Sequence, residues 1–237
     1  MLTPKFKRIL LKISGESLQG KKNGGIDFDA LKKICEQIVE INRLKCEVAV
    51  VIGAGNLWRH RDSEGSGVER VSSDNIGMLA TIMNALAMQS VIEEMKTVCR
   101  VCSALNIPQV CEPYLRRKAI RHLEKGRIVI LAAGTGNPFF TTDSAAALRA
   151  LELDCEILLK ATNVEGIYDS DPKKNSQAKI FHKISFQEVL EKDLRVMDTS
   201  AISLCRDGKL PIVVFDLEKE GNIKKVVCGE KVGTRVE

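Results

Sequence analysis

Aromatic residues are scarce, 4% of 237 residues with a single Trp and two Tyr, so aliphatic side chains must build the core. No run of about 18 apolar residues occurs, and no membrane span is expected. The opening MLTPKFKRILLKIS has no long apolar segment followed by small residues, which argues against export and for a cytoplasmic location. Histidine is nearly absent. His122 and His182 lack a His, Cys or carboxylate at ligand spacing, and His60 sits among Arg59, Arg61 and Asp62 as a solvated residue, so neither a metal site nor an imidazole base is expected. The eight cysteines are scattered through apolar periodic segments and read as buried free thiols. Cys99 and Cys102 form a lone CxxC in a strand-like stretch, where an offset of three puts them on opposite faces. There is no GxxxxGK[ST], and no GxGxxG followed by a ribose-binding acid, which disfavours a P-loop and a dinucleotide fold. The net charge of +5 is mild. The basic stretch RRKAIRHLEKGR lacks interleaved aromatics and reads as a solvated helix face, not a nucleic-acid surface. No repeat or Ser/Pro-rich linker appears, which predicts one domain over residues 1–237.

What is present alternates. Strand patterns occupy Arg8–Ile13, Glu47–Ile52, Thr97–Ala104, Arg127–Ala133, Glu156–Ala161 and Pro211–Phe215, with a weaker one at Lys225–Cys228. Helical patterns occupy Phe28–Leu44, Asp74–Lys96, Pro113–Lys125, Asp143–Leu151, Ser185–Glu191 and Asp198–Asp207. Strands apolar on both faces, such as VAVVI and RIVILAA, predict an α/β fold with a mainly parallel sheet covered on both sides. Met78, Met83 and Met88 on the long helix suit core or a subunit interface better than a cofactor site. Ligands of such sheets bind beyond the carboxyl ends of the strands. The loops GESLQGKKNGG, GAGNLWRHRDSEGSG, GTGNPFFTTD and TNVEGIYDSDPKKN should therefore line one cleft.

The stretch GTGNPFFTTDSAAALRALELD carries the most chemistry. Glycines admit an anion to the backbone, threonines add donors, and the helix that follows presents its N–H groups. Asp143 is the odd member, since a carboxylate repels phosphate. It is either a plain helix cap or a group that orients a cation. Lys12, beside Ser14 and Gly15, could bridge phosphates or reach solvent from the strand end. Arg59 could clamp a phosphate or be a solvated loop residue. Asp74 could accept from ribose hydroxyls or merely cap its helix.

The segments KRILLKISGESL, VVIGAGNLWR, DNIGMLATIMNALAMQ, GRIVILAAGTGNPFFTTDSAAALRALE, LLKATNVEGIYDSDP, EVLEKDLRVMD and RDGKLPIVVF resemble the bacterial uridylate kinases of the amino-acid kinase superfamily. The resemblance runs from Lys7 to Thr234. It implies a three-layer α/β/α sandwich like that of carbamate and acetylglutamate kinases, and transfer of the γ-phosphoryl group of ATP to UMP. It implies a UMP side mainly within residues 50–150, and an ATP side mainly within 155–237 plus 12–15. By position, Lys12, Asp143 and Asp198 surround the transfer site, with Asp143 orienting Lys12 or a second lysine such as Lys160. Ala54, Asp74, Thr135, Gly136, Asn137, Pro138, Phe139, Phe140, Thr141 and Thr142 would bind UMP. Lys12, Ile13, Ser14, Gly15, Gly55, Arg59, Thr162, Tyr168 and Asp171 would bind ATP. Mg²⁺ would ride mainly on nucleotide oxygens, with no protein metal site. The loop Gly20, Lys21, Lys22, Asn23, Gly24, Gly25 resembles a region linked to GTP activation, and Arg100 a further effector position. UTP inhibition and a homohexamer are implied as well. The chain departs from the family's usual GGGN at Ala54, which keeps the backbone donor but demands a dihedral open to an L-residue. It also lacks the aromatic that many relatives carry between the last two glycines of the effector loop. The alternatives are a sister kinase acting on a carboxylate or carbamate, and a nucleotide-binding or storage protein without turnover.

Overall fold

A computed structural model describes residues 3–59, 65, 67–170, 175, 177–194 and 196–237. Its frame is a nine-stranded sheet built from β1 (Arg8–Ile13), β2 (Glu47–Ile52), β3 (Cys99–Ser103), β4 (Glu112–Pro113), β5 (Ile128–Ala132), β6 (Ile157–Thr162), β9 (Lys183–Ile184), β10 (Ile212–Asp216) and β11 (Thr234–Val236). The strand order is β4-β3-β5-β2-β1-β6-β10-β11-β9. All neighbours are parallel except β10 and β11. A separate hairpin pairs β7 (Ile167–Tyr168) with β8 (Ile180–Phe181).

Alternation along the strands sorts the core into two layers. Ile9, Leu11 and Ile13 of β1 pack on one side with α1 (Phe28–Arg43), α2 (Arg70–Glu94) and α7 (Asn222–Val227). Leu10 faces the other side with α3 (Arg116–Glu124), α4 (Thr142–Glu152), α5 (Phe186–Glu191) and α6 (Thr199–Asp207). Cys99 lies in the first layer and Cys102 in the second, as an offset of three requires. Burial pushes the thiols of Cys35, Cys46, Cys102, Cys155 and Cys205 up to about 12, which leaves them unreactive. His122 is a satisfied buried residue: Nε2 faces Glu112 at 3.2 Å and Nδ1 faces Arg127 at 3.0 Å.

Some expectations change. Lys225–Cys228 is helical, not a strand: Ile223, Val226 and Val227 form one buried stripe at helical spacing, with Lys225 outside. Helix α2 begins at Arg70, one turn earlier than expected, so Asp74 caps nothing. Pro113 belongs to β4, and α3 starts at Arg116. The short strands β7, β8, β9 and β11 carry too few residues to show a period. By length and composition alone α2 would be apolar enough to cross a membrane. It packs instead on the sheet through Met78, Ile82, Ala85, Met88 and Ile92, while Met83 is 57% exposed.

Candidate functional site

Period two places the central cations. Lys12 shares its face of β1 with Leu10, and Lys160 shares its face of β6 with Leu158. The two lysines are direct partners across the β1–β6 ladder and both look toward α4. Two buried like charges on adjacent strands need an anion between them. Asp143, in the first turn of α4, supplies it. Lys12 Nζ lies 2.7 Å from Oδ1 and Lys160 Nζ lies 2.6 Å from Oδ2. Burial pushes the Asp143 carboxyl up, but the two lysines outweigh it and hold its pKa below the usual range. Burial, opposed by Asp143 and reinforced by Lys12, leaves the Lys160 pKa below that of a free lysine.

The two lysines are not equivalent. Lys160 donates to Asp143 Oδ2 and also to the Val196 carbonyl, so its hydrogen bonds are largely spent on the protein. Lys12, only 8% exposed, meets Asp143 Oδ1 at 2.7 Å, and among the described residues its ammonium has no second partner. Its ammonium is therefore the cation with donors left for a ligand.

Asp143 does not cap α4. Thr141 does, its hydroxyl accepting from Asp143 N at 3.1 Å. Asp198 sits at the N-cap position of α6 without capping it. Its carboxylate accepts from Thr141 Oγ1 and, at 3.4 Å, from Ser144 Oγ, while Ser144 and Ser200 hydroxyls meet at 2.8 Å. The amino ends of two helices are thereby held side by side, and both are electropositive. Asp143, Lys160, Asp198 and Thr199 line a cleft of about 540 Å³ between them.

Glycine loops close in from the sheet's carboxyl edge. A Cβ on Gly15 would meet Gly55 N at 2.5 Å and the Gly53 carbonyl at 2.7 Å, so only glycine permits this approach. Ala54, between those glycines, has no positive φ and is unstrained. The buried pair Asn56 and Asn84 fixes the loop: Asn84 donates to the Gly53 carbonyl at 2.8 Å, and Asn56 donates to the Gly25 carbonyl at 2.8 Å. Ala133, Gly134, Gly136 and Phe139 all have positive φ, which marks the next loop as a constrained one. Thr81 Oγ1 of α2 pins its start by accepting from Ala133 N at 2.8 Å.

These loops make a second cavity of about 260 Å³, which collects Ala54, Asp74, Thr135, Asn137, Phe140, Thr141 and Thr142 from the expected UMP set. Gly136 instead packs against Ala104, and the Phe139 ring is 65% exposed; neither lines that cavity, nor does Pro138. A third cavity, about 660 Å³, joins Lys160 to Thr162 and Tyr168. Ile13 is buried in the core and can offer only its backbone, whose carbonyl accepts from Gly53 N at 2.9 Å. Arg59 donates to the Gly55 carbonyl at 2.6 Å, pairs with Glu16 at 2.9 Å, and faces Asn23, Gly24 and Gly25 across a cavity of about 560 Å³. Arg100 pairs with Glu93 at 3.3 Å and Glu112 at 3.6 Å and lines none of these cavities. His60 and Asp171 lie outside the described residues.

A larger cavity, about 820 Å³, opens at the opposite end of the sheet among Arg43, Lys45, Lys96, Lys125 and Arg127. Helices α1, α2 and α3 end there, and their carbonyl termini oppose an anion. Size is thus a poor guide, and the glycine loops with buried lysines identify the site. Sequence reasoning left Asn56, Asn84, Thr81 and Ser144 unnoticed, because a buried polar residue in a helix or loop has no periodic signature. Lys160 had one: Leu158 and Lys160 repeat the spacing of Leu10 and Lys12.

Comparison with known proteins follows this geometry. Residues 7–216 match the amino acid kinase family. The crystal structure of UMP kinase from Bacillus anthracis superposes with a TM-score of 0.96 at 38% identity, covering 98% of this chain and 96% of that one. UMP kinase from Ureaplasma parvum gives 0.93 at 36% identity, with 98% of each chain covered. Uridylate kinase from Archaeoglobus fulgidus gives 0.76 at 27% identity, covering 97% of this chain and 99% of that one.

Proposed function

The chain belongs to the amino acid kinase family and, within it, to the UMP kinases of bacterial type, and on that premise we propose that it transfers the γ-phosphoryl group of ATP to UMP, giving UDP and ADP. The observation that carries this reading is Asp143 held between Lys12 and Lys160, with Lys160 lining the cavity of Thr162 and Tyr168 and with Thr142, next to Asp143 in the chain, lining the cavity of Ala54 and Asp74.

Phosphoryl transfer asks little covalent chemistry of a protein. It needs the two nucleotides in line and the charge of the equatorial oxygens neutralised. Lys12, with donors unspent, reaches the transferring group. Asp143 fixes where Lys12 points and opposes the burial that lowers the Lys160 pKa. Lys160 and the paired helix termini add positive potential, and the Gly15, Gly53 and Gly55 backbones let phosphate oxygens approach closely. No general base is required, because the UMP phosphate is already ionised near neutral pH.

The 260 Å³ cavity takes UMP, with Thr135 and Asn137 toward the base, Asp74 toward the sugar and Thr142 toward the phosphate. The 660 Å³ cavity at Thr162 and Tyr168 takes the adenine nucleotide. Ser14, Gly15, Gly55 and Arg59 approach its phosphates. Mg²⁺ enters with ATP as part of that substrate. The nearby carboxylates are committed, Asp143 to two lysines and Asp198 to hydroxyls, which leaves coordination to nucleotide oxygens. GTP and UTP act as effectors through Gly20–Gly25 and Arg100, the loop reaching the site by the reciprocal bonds of Gly25 and Asn56. Residues 1–237 form one domain that assembles as a homohexamer, which would cover the exposed Ile76, Leu79 and Met83 of α2. Eight unpaired cysteines suit a cytoplasmic location.

A coupled assay of ADP release with UMP, CMP, dTMP and small acids tests the function. UMP should exceed CMP by about 5- to 150-fold in kcat/KM, because an amine replaces a carbonyl at a buried polar contact. Equal use of both, or preference for a carboxylate or carbamate, would refute it.

A further inference from the structure

Arg70 opens α2 at a position where a cation is out of place. A helix amino end is electropositive, and beyond the N-cap Glu69 the first turn itself contains no acidic residue. A residue that contradicts its local preference is retained for something beyond the helix. Its contacts show what that is. Arg70 Nε donates to Asp74 Oδ2 at 2.8 Å, and the same oxygen accepts from Phe139 N at 2.8 Å. The guanidinium also stands 5.7 Å from the centre of the Phe139 ring. Phe139 has a φ of 69°, and its N–H is the one hydrogen bond from residues 135–140 to another element among the described residues. One guanidinium thus braces both the carboxylate and the strained end of the loop.

We propose that Arg70 is a positioning residue for the UMP sugar, fixing Asp74 so that the protein distinguishes ribose from 2′-deoxyribose. The inference rests on the UMP-kinase reading above. Two hydrogen bonds anchor Oδ2 and restrict the carboxylate's rotation. Its other oxygen accepts no hydrogen bond among the described residues, and Asp74 lines the 260 Å³ cavity. A fixed carboxylate oxygen is a matched acceptor for a sugar hydroxyl. Without Arg70 the carboxylate is free to turn, and both the hydroxyl contact and the Phe139 anchor weaken.

The test compares Arg70→Ala and Arg70→Lys with the wild type, using UMP and dUMP, with ATP varied separately. In Arg70→Ala the KM for UMP should rise about 5- to 10-fold and the preference for UMP over dUMP should shrink about fivefold, the KM for ATP staying within about twofold. Arg70→Lys, which keeps an ion pair at the same spacing, should recover most of both losses. The melting midpoint of Arg70→Ala should hold or rise, because alanine favours the helix and relieves the opposing charge. An unchanged KM and sugar preference would overturn the proposal. So would a falling midpoint with all kinetic constants moving in parallel, since that is a structural role. A wild type that does not phosphorylate UMP would contradict the function itself, and an active wild type with indifferent Arg70 variants only this inference.

Discussion

Replacing Asp143 by Asn is the perturbation that separates a helix cap from an electrostatic hub. Asn is nearly isosteric and caps as well as Asp, so a capping role predicts silence. Here the cap is Thr141, and among the described residues Asp143 is the one anion contacting Lys12 and Lys160, at 2.7 and 2.6 Å. The three side chains are only 10–13% exposed, so solvent screens them little. Removing one partner of a buried ion pair costs about 3–5 kcal/mol. At about 2–4 °C per kcal/mol for a chain of this length, the midpoint should fall by about 6–20 °C at neutral pH. The loss should ease in alkali. Lys160 already has a lowered pKa, and without Asp143 it falls further. Between that folded value and the unfolded one the unfolded chain binds more protons, so stability rises with pH. At the acid end stability again rises with pH, now in the wild type. The lowered Asp143 pKa gives the wild type stability that is complete above the usual carboxylate value and lost as pH drops through the folded one. The variant should lack that share of the acid transition. Turnover should fall by about 10- to 1000-fold, since Lys12 loses the group that aims it. The KM for UMP should change less. Steady-state kinetics with melting curves from pH 3 to 10 make the measurement. A kcat within about threefold of wild type, with an unmoved midpoint, would refute the hub.

Two further outcomes follow from the same geometry. Lys12→Ala should lower kcat by about 100-fold or more while the midpoint moves little, because its removal also relieves repulsion from Lys160; near-normal turnover by the folded variant would remove Lys12 from the reaction. Light scattering should give about six times the 26.2 kDa chain mass, or about 157 kDa, and a concentration-independent monomer would contradict the assembly.

Much of the fold was legible because the six long strands are apolar on both faces and separated by amphipathic helices. The strand boundaries at Arg8–Ile13 and Glu47–Ile52 coincide with the observed ones. The Lys225–Cys228 segment misled because four residues fit period two and period 3.6 equally well, and Ile223 breaks the tie only if the helix is started earlier. Asp74 misled because a polar residue before an apolar run resembles a cap, whereas α2 begins behind it at Arg70. The glycine loops were legible as loops gathered at the carboxyl edge of the sheet, where Gly15 packs closely on Gly53 and Gly55. That Asp143 answers to two lysines was only half legible. The period-two spacing of Lys12 and Lys160 sets their face, but the register that makes them neighbours comes from the sheet order.

The most direct test follows the phosphoryl group itself. ATP labelled at the γ-phosphorus is mixed with excess enzyme and UMP, and the reaction is quenched within one turnover. Label should pass straight from ATP to UDP, with none on the protein and none as free phosphate, and the rate should fall by about 100-fold in Lys12→Ala. Label that first accumulates on the chain, or that leaves as phosphate without forming UDP, would contradict direct transfer between the two nucleotides.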